Sequence, residues 1–131
     1  MSAREHSYIP GPWFRFAQVA PYGDSSARSR SWSQPWLWCQ PDGLDIDIRR
    51  GLITIVEFKL QHTSAAWWQT RRLYEPVVKA VFGTELWRFA IVEIVKWFDP
   101  DTAFPERFSF IPHLSAITPG GFHVHIWNPR R

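Results

Sequence analysis

Apolar and polar residues alternate from Leu44 to Arg49: Leu44, Ile46 and Ile48 against Asp45, Asp47 and Arg49. Period-two alternation is the signature of a half-buried strand. The run from Leu52 to Leu60 is apolar on both faces, which predicts a strand central in its sheet. Arg50-Gly51 between them reads as a two-residue turn, so the two segments form a hairpin. After Thr63 the period changes. Ala66, Leu73, Tyr74, Val77, Val78 and Val81 recur at helical spacing and predict a helix over about 64–82 with that stripe against a sheet. Thr63 or Ser64 is its N-cap and Gly83 its end. Arg71, Glu75 and Lys79 form an i,i+4 series on the opposite side, and Pro76 predicts a kink or break near Tyr74-Glu75.

Four further segments complete the pattern. Leu86–Phe98 is a long apolar strand, with Glu93 and Lys96 read as edge or solvent-facing charges. Pro35–Gln40 is a short apolar strand leading into the hairpin. Phe122–Trp127 alternates as a terminal strand, with His123 and His125 on its outer face. Trp13–Val19 is a short strand in an otherwise irregular segment 1–34. The expectation is one α/β domain. Its mixed sheet draws on strands near 36–39, 43–49, 52–60, 86–98 and 122–127, and the helix packs on one face. Residues 36–98 form the core and 99–131 an extension.

Composition adds three constraints. The chain has 131 residues, enough for one core, and nine tryptophans, whose commoner use is packing and whose rarer use is base or sugar stacking. A net charge of +3 and a pI near 9.4 permit nucleic-acid binding without establishing it. The single cysteine, Cys39, excludes an intramolecular disulfide and fits a reducing compartment; it reads as a small buried hydrophobe. No apolar run reaches the roughly 18 residues that span a bilayer, and the first residues lack a secretory core. The expectation is a soluble, cytoplasmic protein. No P-loop, GxGxxG or GxSxG motif is present.

Candidate chemistry enters where charge interrupts the dry strand. Glu57 and Lys59 are two apart, so they project to one face. A buried charge costs several kcal/mol unless paired, hydrogen-bonded or bound to a metal. With a two-residue turn, Arg49 pairs with Leu52, Leu44 lies opposite Glu57 and Asp42 opposite Lys59. Asp42, Glu57 and Lys59 then share a face, and Asp45 and Asp47 take the other. A one-residue shift brings Asp45 towards Glu57 instead, which keeps Asp45 as the reserve ligand. Two carboxylates and an ammonium suit Mg²⁺ or Mn²⁺, a hard cation that binds through few carboxylates plus water and phosphate.

Pro41-Asp42, a hairpin, then Glu57-Phe58-Lys59 resembles the PD-(D/E)xK nuclease superfamily of restriction enzymes, lambda-type exonuclease and Holliday-junction resolvases. The resemblance covers about residues 36 to 98. It implies a restriction-endonuclease-like fold and metal-dependent hydrolysis of DNA. Asp42 and Glu57 would hold Mg²⁺ or Mn²⁺, and Lys59 would position or activate water. Gln69 and Tyr74 resemble the glutamine and tyrosine that follow ExK in several branches, with one extra residue between them. Gln69 would orient Lys59 or substrate. Arg71, Arg72 and Tyr74 are weaker candidates for DNA contact, their ordinary reading being a helix surface. Arg28 and Arg30 are either a solvated loop or a basic arm on phosphate. A helix with a further acidic ligand often precedes the family's hairpin; Glu5 is the only early candidate, with no helix pattern around it.

Two other functions fit these residues. One is a non-catalytic nucleic-acid-binding protein on the same scaffold. The other is an aromatic-rich assembly or ligand-binding module in which Glu57 and Lys59 are only an ion pair. So small a chain offers limited contact area for DNA, which makes a homodimer or a partner protein plausible.

Overall fold

The computed structural model describes residues 6–17, 36–99 and 106–127. Its centre is the predicted dry strand, β5 (Leu52–Gln61). β5 is antiparallel to β4 (Gly43–Asp47) on one side and parallel to β6 (Arg88–Trp97) on the other. β1 (His6–Pro10) extends the sheet antiparallel beyond β4. β8 (Phe122–Ile126) and the two-residue β7 (Ser109–Phe110) extend it in parallel beyond β6, giving the order β1-β4-β5-β6-β8-β7. The fold is α/β, a mixed six-stranded sheet with its helical segment between β5 and β6, as a parallel crossover requires.

That segment begins at α1 (Ser64–Trp68), where the Thr63 side chain accepts from the Ala66 N–H at 3.1 Å. It runs through a π-helical stretch, Gln69–Tyr74, into α2 (Glu75–Phe82), and ends at Gly83, whose φ of +83° suits glycine. Pro76 has no N–H, and its ring would clash with the Arg72 carbonyl in straight α geometry. The helix therefore does not break at Tyr74-Glu75. It widens just before the proline, where the Glu75 N–H reaches the Thr70 carbonyl five residues back.

One face of the sheet buries Leu44, Ile53, Ile55, Ile91, Val95 and Phe122 against Trp67, Tyr74 and Val78 of the helical segment. The other face buries Leu52, Val56, Ala90 and Val92 under Ile111 and Ile117. Some expectations about the elements need correction. The segment Trp36–Cys39 (β3) is outside the main sheet; it pairs with β2 (Phe14–Ala17) as a separate ribbon whose Phe14 and Cys39 close the helix-side core. His6–Pro10 is a strand rather than irregular. Val81 is exposed, not sheet-facing. Glu75 is buried and Arg71 reaches across to Glu106, so the i,i+4 series is not a solvated face. His123 is buried, bonding the Ile91 carbonyl through Nδ1 and Thr118 through Nε2. Glu5, Val19, Arg28 and Arg30 lie outside the described residues. Among the described residues, no helix is long and apolar enough to cross a membrane.

Candidate metal and phosphodiester site

The hairpin turn is longer than its sequence suggests. Asp47, not Arg49, lies opposite Leu52, and Ile48–Gly51 make the turn. The Asp47 side chain accepts from the Arg50 N–H at 3.1 Å, the Gly51 N–H reaches the Ile48 carbonyl at 3.2 Å, and Gly51 adopts φ +60°. Against a two-residue turn the register slips by two. A slip of two preserves which face each side chain takes. Gly43 pairs with Val56, so Asp42 comes opposite Glu57 rather than Lys59.

Asp42 and Glu57 hold each other through the backbone. The Asp42 N–H donates to Glu57 Oε1 at 2.8 Å, and the Phe58 N–H donates to Asp42 Oδ2 at 2.8 Å. One oxygen of each carboxylate is thereby fixed, and Asp42 Oδ1 and Glu57 Oε2 remain. Lys59 Nζ stands 3.8 Å from Glu57 Oε2 and donates to Gln69 Oε1 at 3.4 Å. Glu57 is only 2% exposed, while Asp42 is exposed and Lys59 half-buried. The cluster is thus rooted in the sheet and open at its rim.

Burial raises the Glu57 carboxyl to about 7. The Asp42 N–H opposes this rise and the Asp42 charge adds to it; Lys59 lowers the value, and Glu93 raises it. Burial, followed by the charges of Glu57, Cys39 and Asp42, pushes Tyr74 up to about 12. Tyr74 therefore sits within the electrostatic reach of the cluster. The π-helical stretch explains how. Gln69 and Tyr74 are five apart, and an α-helix would rotate them well away from each other. A π-turn closes on i to i+5, and it spans these two residues. The additional residue is absorbed, and both side chains face the strand.

The remaining candidates lie elsewhere. Asp45 pairs with Thr54 on the opposite face, where its carboxylate is 3.3 Å from His6 Nδ1; Asp47 is 3.4 Å from His6 Nε2. The structure therefore does not bring Asp45 to Glu57. Arg71 binds Glu75 and Glu106 and is only 17% exposed at the side chain, so its guanidinium is held inside a structural network. Burial alone would raise Glu106, but bonds from Arg71 and Trp67 hold it below its usual value. Arg72 is exposed over the Trp67 ring, 5.9 Å from its centroid. Burial pushes the Cys39 thiol up, as a core position does.

Two features escaped the sequence reading. Tyr8 on β1 lies over Gly43, where an added Cβ would stand 2.1 Å from its hydroxyl. Burial raises its phenol, followed by the charges of Asp42, Asp45 and Glu57. Glu93 is not at an edge. It is fully buried beside Glu57 in the parallel register, with Oε1 2.6 Å from Nδ1 of the equally buried His62. The His62 ring stacks on Phe98 and meets Phe108 and Phe122. Phe89, Ile91 and Val95 point inward at period two with Glu93, and that signal could have found it.

Among the described residues, no group of three or more His, Cys, Asp or Glu side chains converges as a metal cage. Asp42 and Glu57 are two carboxylates joined through backbone hydrogen bonds. Comparison with protein-family models, with curated proteins and with solved structures finds no match for this chain.

Proposed function

We propose that the chain is a metal-dependent nuclease that hydrolyses phosphodiester bonds of DNA, on a restriction-endonuclease-like core formed by β4, β5, the helical segment and β6. The observation that carries this reading is the mutual clasp of Asp42 and Glu57 with Lys59 on the same face, at an opening to solvent. A divalent cation fits the residues present. The buried Glu57 carboxylate is poorly compensated without one, since burial has raised it to about 7. The two oxygens not engaged by backbone N–H groups are hard donors, and the exposed side of Asp42 leaves room for water and phosphate. That donor set suits Mg²⁺ or Mn²⁺ rather than a closed zinc site.

Asp42 Oδ1 and Glu57 Oε2 would hold the ion, pre-aimed by the two backbone bonds. When bound, it polarises the phosphoryl oxygen and lowers the pKa of coordinated water. Lys59 adds a positive charge beside the scissile phosphate and positions the attacking water. Gln69 fixes the lysine head through its carbonyl oxygen. Tyr74, buried in the helix-side core, lies within electrostatic reach of Glu57 and Asp42. The fixed geometry is what favours turnover over binding alone, because reacting groups held in place remove orientational cost from the barrier.

The test is cleavage of labelled DNA with Mg²⁺ or Mn²⁺. Hydrolysis that disappears in Glu57→Ala and in Lys59→Ala supports the enzyme. DNA binding with no cleavage under either metal would return the scaffold to a binding role.

A further inference from the structure

The ribbon of β2 and β3 has two unlike faces. Phe14, Phe16 and Cys39 turn inward and pack on the core. Trp13 and Trp38 turn outward, 63% and 59% exposed, with ring centroids 6.4 Å apart and planes at 82°. Arg15 is the register partner of Trp38 and is also exposed. An edge-to-face pair of indoles this exposed forgoes most of the burial that normally justifies tryptophan. More than half of each indole is open to solvent, and Arg15 occupies the neighbouring strand position.

The platform is tied directly to the candidate site. The Gly11 N–H donates to the Asp42 carbonyl at 2.8 Å, and Gln40 Nε2 donates to the Gly11 carbonyl at 2.9 Å. Trp13 is thus two residues from a group bonded to Asp42, and Trp38 is four residues before Asp42. Four extended residues span at most about 14 Å, a distance of a few nucleotides. Open aromatic faces beside a cation, next to a phosphodiester site, are the elements of a single-strand stacking platform. Paired bases are already stacked on each other and must be unpaired before a side chain can stack on them. The net charge of +3 complements phosphate.

We infer that the outer face of the ribbon, Trp13 and Trp38 with Arg15, stacks unpaired bases, so that the preferred substrate is DNA with a single-stranded segment beside the cut. This rests on the nuclease reading for the identity of the substrate. Its test does not require turnover.

The experiment uses the full chain in EDTA, with fluorescence anisotropy of a labelled 20-nucleotide oligothymidine and of a blunt 20-base-pair duplex. The single strand should bind more tightly than the duplex. Trp13→Ala and Trp38→Ala should each weaken single-strand binding by roughly tenfold, since base–aromatic stacking is of that order, and leave duplex binding unchanged. Trp38→Tyr should recover most of the loss. Both positions are exposed, and an unchanged melting temperature verifies that the variants fold. Equal loss on both DNAs, no loss on the single strand, or no binding of either DNA would overturn the inference. A protein that binds as described but never cleaves defeats the nuclease reading alone. One that cleaves but ignores both substitutions defeats only the platform.

Discussion

Glu57→Gln should stabilise the metal-free protein at alkaline pH while removing its response to metal. Glu57 is buried midway along β5, and its carboxyl is raised from an ordinary 4.5 to about 7, chiefly by burial. A carboxyl that binds its proton more tightly when folded contributes nothing adverse below pH 4, where both states are protonated. Its adverse effect grows as pH rises from about 4.5 to about 7, the interval in which the unfolded chain is ionised and the folded one is not. Above that interval the ionised form carries the full cost, roughly 3 kcal/mol. Glutamine keeps the shape and an oxygen for the Asp42 N–H but cannot ionise. At pH 8 the variant should be more stable by up to about 3 kcal/mol, a rise of roughly 10 °C in melting temperature for a chain of this size; at pH 4 the two proteins should melt together. Adding 5 mM Mg²⁺ or Mn²⁺ at pH 8 should raise the wild-type melting temperature by mass action and leave Glu57→Gln unmoved. Differential scanning calorimetry at both pH values, with and without metal, reads all four conditions. A variant less stable than wild type at pH 8 would show that the Glu57 charge is not a burden in the folded protein. So would an equal metal response in both proteins.

Three further outcomes follow from the geometry. Asp42→Asn should abolish cleavage, whereas Asp45→Asn, on the opposite face beside His6, should leave it within a few-fold; equal loss in the two would place the ion on the wrong face. Lys59→Ala should lower kcat by at least about 100-fold, the low end for a group that assists proton transfer, with DNA affinity in Ca²⁺ nearly unchanged; a matching loss of affinity would make the lysine a mere phosphate contact. Removing either partner of the buried His62–Glu93 contact should cost about 3–5 kcal/mol in a urea titration, and the double variant His62→Phe/Glu93→Leu should recover most of it. Additive losses in that double variant would show that the two groups do not depend on each other.

Local chemistry carried much of this architecture in the sequence. The dry run around Val56, the Thr63 cap, Gly83 and the stripe through Ala66, Tyr74 and Val78 mark β5 and the helical segment within a residue or two. The face shared by Asp42, Glu57 and Lys59 was also legible, because it depends only on the parity of strand positions. The register was not, because the Asp47 side chain builds a longer turn than Arg50-Gly51 implies. Ile48 gave the misleading signal: it continues the inward alternation yet is 62% exposed in that turn. Long-range partners were the larger omission. Glu93 looks like a surface charge until His62, 31 residues earlier, meets it in the interior. Arg71 looks like a solvated helix-surface charge until Glu106 reaches it. The five-residue step from Gln69 to Tyr74 would part the two side chains on an α-helix, and the π-turn ahead of Pro76 was not legible in the spacing.

Anomalous diffraction from a crystal soaked in Mn²⁺ would locate the ion among these side chains. A peak bridging Asp42 and Glu57, with Lys59 and Gln69 alongside, is the expected result. A peak at Asp45, Asp47 and His6 instead, or none at saturating Mn²⁺ while Glu57 stays bound only to the Asp42 N–H, would contradict it.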